Sequence, residues 1–280
     1  MTITCLINGE PGAHVPADDR GLHYGDGLFE TLTVRDGVCE FWDRHMQRLC
    51  AGCERLGIPP PSPELLRAEA AQLVGAAGRG VLKIIVTRGR GGRGYQPPQQ
   101  VEPMRLLRIF EAPAHPAHHA EEGVRVRLCT QRLGWNAALA GIKHLNRLEQ
   151  VLARMEWDDP DIAEGLMSDQ AGNVIEGTFT NLFAIFDGHL FTPALNRCGV
   201  AGIMRGVIME LAATEASGCA VRDIPQAELL DADGLFLSNS VLGLWPVREL
   251  DGRRLRVGEL TRHLQQRLAD MRAAAGAPRR

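Results

Sequence analysis

Lysine is almost absent from this chain. Of 31 Lys and Arg residues, two are lysine, Lys83 and Lys143. A guanidinium stays protonated at any working pH, whereas a lysine amine can lose its proton and serve as a nucleophile or base. In a chain that uses arginine elsewhere, both lysines are candidates for amine chemistry. Lys143 lies in Leu139-Ala-Gly-Ile-Lys-His-Leu-Asn-Arg-Leu148, just before an amphipathic helical run, and Lys83 lies in an apolar strand pattern. Either can also be read as an ordinary charged residue. A carboxylate, Glu176, stands in Val174-Ile-Glu-Gly-Thr-Phe-Thr-Asn-Leu-Phe183. It reads as a turn or edge residue, or as an ionic partner for a ring nitrogen. Gly199-Val-Ala-Gly-Ile-Met-Arg205 leads into a helical pattern, whose first backbone N–H groups have no intrahelical acceptor and attract anions. Ser238-Asn239-Ser240 follows a strand pattern and adds hydroxyl and N–H donors. Each segment can be mere capping; together they suit two sides of a phosphate cup.

Other motifs lack the context their chemistry needs. Gly89, Gly91 and Gly94 spell G-x-G-x-x-G, but Tyr95-Gln96-Pro97-Pro98 cannot open the helix a dinucleotide fingerprint requires. The stretch Arg88–Tyr95 reads instead as a flexible cationic loop, either a hairpin tip or an arginine-bearing lid for a carboxylate. Cys50 and Cys53 form a C-x-x-C without a second pair, and His115, His118 and His119 sit in a Pro/Ala-rich stretch without further ligands, so no metal is expected. A net charge of −3 and a pI near 6.3 exclude bulk-charge binding to nucleic acid or membrane. The sequence has no run of apolar residues long enough to span a bilayer, and its first residues do not read as a signal peptide. The seven cysteines then read as free thiols in a reducing cytoplasm.

The elements that position these residues alternate in type. Strands are predicted at 3–7, 28–35, 38–41, 81–87 and 104–110. Helices are predicted at 43–56, N-capped by Asp43, and at 64–77. Further strands fall at 124–130, 163–168, 181–186, 234–238 and 247–252, with helices at 146–157, 204–216 and 258–274. Asn8-Gly9, Asp36-Gly37, residues 170–173 and Asp187-Gly188 read as turns. The fold class is therefore α+β, with two mixed α/β domains: a smaller one over 1–111, a solvated linker over 112–122 and a larger one over 123–280.

The order of these motifs resembles the fold-type IV pyridoxal-phosphate enzymes over nearly the whole chain. That group includes branched-chain and D-amino-acid aminotransferases and 4-amino-4-deoxychorismate lyases. The segments R-G-x-G-G-R-G-Y at 88–95 and L-A-G-I-K-H-L-N-R-L-E-Q-V-L at 139–152 look like the lyases rather than the aminotransferases. The resemblance implies pyridoxal 5'-phosphate as cofactor, with Lys143 as the Schiff-base lysine and Glu176 as the partner of the pyridine nitrogen. It implies Arg48 on the phosphate, with backbone N–H groups of Ile203 and Met204 and, opposite, Asn239 and Ser240. Met204 stands where the aminotransferases usually have threonine, so only a main-chain contact is implied there. Arg93 and Tyr95 fall where substrate carboxylate is held, and His23, Tyr24 and Phe29 line the pocket, with Trp135 and Asn136 reaching it. The activity implied is elimination of pyruvate from 4-amino-4-deoxychorismate to give 4-aminobenzoate, by a cytoplasmic homodimer. The alternatives are a D-amino-acid or branched-chain aminotransferase, or a cofactor-binding module without turnover.

Overall fold

The computed structural model describes residues 4–12, 14–75, 78–215 and 218–276. The expected element ends at Ile3, Ala76, Ala77 and Ala216 lie outside the described residues. The chain forms two compact units, Met1–Ala114 with Ile142–Asn146, and His115–Gly141 with Arg147–Arg280. A five-residue stretch carrying Lys143 thus belongs with residues far before it in sequence, which a linear division of the chain does not contain.

The first unit runs β1 (Cys5–Ile7), β2 (Glu10–Pro11), α1 (Arg20–Tyr24), β3 (Gly27–Arg35), β4 (Val38–Cys39), α2 (Trp42–Leu56), α3 (Pro63–Val74), β5 (Gly80–Thr87) and β6 (Met104–Phe110). Its antiparallel sheet has the order β2-β1-β6-β5-β3-β4. Side chains alternate in a strand, so one face carries Leu28, Glu30, Leu32 and Val34 of β3 with Leu82, Ile84 and Val86 of β5, all buried. The helices α2 and α3 lie against this sheet, and α2 buries Met46, Leu49 and Cys53. The Cys53 thiol is pushed up to about 12 by burial, which suits a packing residue rather than a reactive one. Phe41, in the left-handed region and without a side-chain cap, precedes α2; Asp43 stands inside the first turn and not at the expected N-cap position. Gly57 ends α2 in the left-handed conformation, and Ser62 caps α3 by accepting from the Leu65 N–H.

The second unit runs α4 (His118–Glu121), β7 (Val124–Leu133), α5 (Leu148–Arg154), β8 (Ile162–Asp169), β9 (Val174–Gly177), β10 (Asn181–Phe186), β11 (His189–Pro193), α6 (Ile203–Ala213), β12 (Cys219–Arg222), α7 (Gln226–Leu229), β13 (Gly234–Asn239), β14 (Gly243–Leu250), β15 (Arg253–Arg254) and α8 (Glu259–Gly276). Its sheet has the order β12-β11-β10-β13-β14-β7-β8-β9, and β9 also pairs with β10. That last pairing closes six strands into a ring, through Asn181 opposite Glu176. Part of the expected linker is helical: α4 begins at His118, and the rings of His115 and His119 each pack edge-on against Trp245 at 4.8 Å. Among the described residues, no helix is long and apolar enough to cross a membrane.

Where β7 and β8 pair, Gly165 leaves no room for a side chain. A Cβ there would lie 2.5 Å from Cys129 Sγ and 2.7 Å from the Trp157 ring. Gly165→Ala is expected to lower stability by about 1–3 kcal/mol, the usual cost of overpacking, measured as a shifted urea midpoint with unchanged slope. An unshifted midpoint would contradict the tight packing.

Candidate active site

In the first unit, the stretch Ile142–Asn146 lies antiparallel against the start of β3. The Phe29 N–H donates to the Lys143 carbonyl at 3.0 Å and the Leu145 N–H to the Gly27 carbonyl at 3.0 Å. His144 bridges Leu28, and the Asn146 amide donates to the Gly25 carbonyl. This pairing fixes the backbone of Lys143, whose Nζ stands 4.4 Å from the centroid of the Phe29 ring. The two expected residues are brought together here, on backbone hydrogen bonds that no local pattern announces.

Next to Phe29, on the opposite face of β3, Glu30 is buried and takes a forked contact from Arg48, Nε to Oε1 at 2.9 Å and Nη2 to Oε2 at 2.5 Å. His45 Nδ1 donates to the same carboxylate at 2.6 Å. Burial pushes the Glu30 carboxyl up, but the Arg48 charge and the His45 contact hold it below the ordinary range. Burial, helped by the Arg48 and Lys143 charges, outweighs the Glu30 contact and holds His45 below its ordinary value. Arg48, expected on a phosphate, thus has two of its nitrogens engaged by Glu30.

Two of the arginines in the cationic loop are tied to carboxylates. Arg88 is buried, its Nε and Nη2 on Asp26 and its guanidinium also donating to the Leu56 and Gly57 carbonyls. Arg90 pairs with Asp18. Arg20, buried in α1, donates to Asp26 and reaches across to the carbonyls of Gly94 and Tyr95. The Tyr95 ring meets Tyr24 edge-on at 5.4 Å, so two expected pocket residues touch. Of the three loop arginines, Arg93 is the one without a carboxylate partner among the described residues.

In the second unit, Glu176 is buried, and its Oε2 accepts the Val200 N–H at 2.8 Å. The stretch 199–201 is fixed from two sides. The Gly141 N–H donates to the Gly199 carbonyl and the Ala201 N–H returns to the Gly141 carbonyl, while the Asn181 amide donates to the Val200 carbonyl. A Cβ on Gly202 would fall 1.9 Å from Asn181 Oδ1, and Gly199 has φ +86°, so neither position tolerates a side chain. Gly202 provides no side-chain cap to α6, which leaves the N–H groups of Ile203 and Met204 uncapped by it. Arg205 ties this turn to β11 through Thr192 Oγ1 and the Pro193 carbonyl.

The polar residues at the end of β13 are only partly arranged as expected. Asn239 Oδ1 accepts from the Val241 and Leu242 N–H groups at 2.8 Å, and its Nδ2 donates to the Phe179 carbonyl; its side chain holds its own turn. Ser240 is half-buried beside it. Ser238 pairs in register with Asn181, and its buried hydroxyl has no partner among the described residues. Trp135 donates to Asp169 at 3.1 Å, and the Asn136 N–H donates to the Arg197 carbonyl.

Sequence reasoning missed the residues that support these groups. Glu164 is fully buried, and burial raises its carboxyl above the ordinary range despite contacts from Thr178, Gly165, Thr180 and Phe179. It thereby shapes the turn between Glu176 and Asn181. Glu30 did leave a signal, as a carboxylate on the apolar face of an alternating strand; Arg20, Asp26 and Glu164 left none.

Comparison with known proteins gives four findings. The family model described as amino-transferase class IV matches residues 27–250. The chain is 38% identical to an aminodeoxychorismate lyase of Vibrio harveyi over 266 residues, covering 94% of this chain and 98% of that one. The crystal structure of 4-amino-4-deoxychorismate lyase from Pseudomonas aeruginosa is similar at 51% identity and a TM-score of 0.91, over 95% of this chain and 98% of that one. The Escherichia coli branched-chain amino acid aminotransferase is similar at 26% identity and a TM-score of 0.84, over 97% and 95%.

Burial raises the Asp26 carboxyl, but Arg88 and Arg20 outweigh it and hold it below its ordinary value of 3.8. A carboxyl depressed in the folded state stabilises above its unfolded pKa and loses that contribution as pH falls. Asp26→Asn is therefore expected to be less stable than wild type at pH 7, with the gap closing below about pH 4. Urea unfolding at several pH values measures it, and a pH-independent gap would sink the ionic role.

Proposed function

This chain belongs to the class IV amino-transferase family, and from that premise we propose that it is a pyridoxal-phosphate-dependent lyase. It eliminates pyruvate from 4-amino-4-deoxychorismate and leaves 4-aminobenzoate, a folate precursor. The observation that carries the substrate is the near full-length likeness to two such lyases, at higher identity than to the aminotransferase. The groups present fit the cofactor. Buried Glu176 suits a protonated ring nitrogen. The uncapped start of α6 and the unpartnered Ser238 hydroxyl suit a phosphate. We assign the phosphate to Ile203, Met204, Ser240 and the Asn239 main chain, with Arg48 as a further cation.

When bound, the cofactor supplies an electron sink. The chain does the rest. Lys143 Nζ provides the covalent attachment and, once released, takes the proton from C4 of the substrate. The C3–O bond to the enolpyruvyl group breaks, and the ring becomes aromatic. The proton held on Lys143 is then available to the departing enolpyruvate. Arginine could not do this, because it would not release a proton. Glu176, held by the Val200 N–H, stays aimed at one place throughout. Arg93 and Tyr95 hold a substrate carboxylate, with Tyr24 and Phe29 beside them.

We also propose a cytoplasmic homodimer. The free state of all seven cysteines supports the reducing compartment. Leu148, Val151 and Leu152 of α5 and Met155 at its C-terminal cap form an exposed stripe at helical spacing, with Leu148 76% and Met155 75% exposed, and a second copy of this chain is the occupant we assign to it. The double change Leu148→Lys with Met155→Lys is expected to shift the mass seen by light scattering from dimer to monomer. An unchanged dimer would place the interface elsewhere.

The functional test is direct. Purified holoenzyme given 4-amino-4-deoxychorismate should release 4-aminobenzoate and pyruvate in equal amounts. Lys143→Ala should lose the borohydride-reducible link to the cofactor and at least ~10²-fold in rate. A cofactor-loaded protein that makes neither product, but converts D-alanine or leucine to the keto acid, would establish the aminotransferase instead.

A further inference from the structure

The two lysines of the chain flank one aromatic ring. Lys143 Nζ is 4.4 Å from the Phe29 centroid and Lys83 Nζ is 5.1 Å from it. The strand register accounts for Lys83: Phe29 stands opposite Ile85, and Thr31 opposite Lys83. Because side chains alternate, Phe29, Thr31, Lys83 and Ile85 share the half-buried face of the first sheet, while Leu28, Glu30, Leu82 and Ile84 fill the core face. On the other side of β5, Lys83 is registered with Arg108, a like charge. Among the described residues no carboxylate pairs with Lys83, although the chain has 34 Asp and Glu. A half-buried ammonium with cationic neighbours and no anion is unfavourable unless an anion comes from outside.

We propose that Lys83 binds a carboxylate of the substrate, as a second amine beside the Phe29 ring that Lys143 also meets, and so sets the affinity for anionic substrates. The proposal rests on the reading of the protein as a lyase acting on a dicarboxylate. An ammonium suits the place: it is a compact point charge with three donors, and the Phe29 face stabilises it when the site is empty of anions. Arg93 then takes the other carboxylate, from the loop held by Arg20. Lys83 makes no covalent bond and moves no proton; it fixes the position of the ring on which Lys143 works.

The test uses holoenzyme and the variants Lys83→Met, Lys83→Gln and Lys83→Arg. Two readouts are taken beside the borohydride-reducible cofactor link. One is KM and kcat for 4-amino-4-deoxychorismate. The other is the Kd for chorismate by calorimetry, a dicarboxylate of the same skeleton that lacks the amine and cannot displace Lys143. Lys83→Met and Lys83→Gln are expected to keep the cofactor link, to raise KM and the chorismate Kd by about 10- to 100-fold, and to bind chorismate with a weaker salt dependence. Lys83→Arg should recover most of the affinity. Unchanged chorismate affinity in both neutral variants would overturn the proposal, as would a loss confined to kcat or to the cofactor link. If wild type binds chorismate yet releases no 4-aminobenzoate, the lyase reading fails, and the chorismate affinities still decide the role of Lys83.

Discussion

The pair of backbone hydrogen bonds between Gly27–Phe29 and Lys143–Leu145 fixes the backbone from which the Lys143 amine projects. Chain beyond residue 114 otherwise belongs to the second unit, and only Ile142–Asn146 joins the first. Each such bond contributes about 1 kcal/mol net, so their value lies in position more than in stability. They set the lysine backbone in register with a strand, and the Lys143 amine stands over the Phe29 ring. Glycine at 25 and 27 allows this approach: a Cβ on Gly25 would fall 2.4 Å from Asn146 Oδ1, and one on Gly27 2.9 Å from the Leu145 side chain.

Buried carboxylates do the corresponding work away from the lysine. Glu30 binds Arg48 and His45, Asp26 binds Arg20 and Arg88, and Glu164 gathers the donors of residues 178–180. Replacing a buried ion pair by apolar residues is often neutral or stabilising, so stability alone does not explain them. What they supply is direction. Each acid ties its neighbours at a fixed place within its own unit: helix α2 to β3 through Glu30, the loop 88–98 through Asp26 and Arg20, and the turn before Asn181 through Glu164. Arginine suits this use because its planar fork accepts one geometry of carboxylate, in keeping with a chain in which arginine so heavily outnumbers lysine.

The sequence made the elements and the reactive groups legible for different reasons. Strands β3, β5 and β10 and helices α2, α6 and α8 are carried by periodicity and by turns such as Asp36-Gly37, so they lie within a few residues of expectation. Lys143 and Glu176 stand out through residue chemistry and the family resemblance, and the structure sets the first beside Phe29 and the second on the Val200 N–H. The short elements β9, β11, β12 and α1 were not, because four or five residues give no period to read. The pairing of Arg88 with Asp26 has no local mark either, because the two are 62 positions apart. The closure of the ring at Glu176 and Asn181 was equally hidden, being a tertiary pairing with no local mark.

Two sets of glycines show how far spacing alone can mislead. Gly89, Gly91 and Gly94 match a nucleotide fingerprint, yet their glycines answer to other needs. Gly89 turns at φ +81°, where a Cβ would fall 1.9 Å from the Glu102 carbonyl, and a Cβ on Gly91 would fall 2.6 Å from Arg20 Cδ. They let a loop cross a buried arginine. Gly199 and Gly202 match no such fingerprint, but they bring an uncapped helix start against Asn181 and the Val200 N–H against Glu176. An anion site depends on where the free N–H groups point, and the residues C-terminal to the glycines decide that. Tyr95-Gln96-Pro97-Pro98 comes after the first set and ends any helix before it starts; Ile203–Ala213 comes after the second and is a helix of eleven residues.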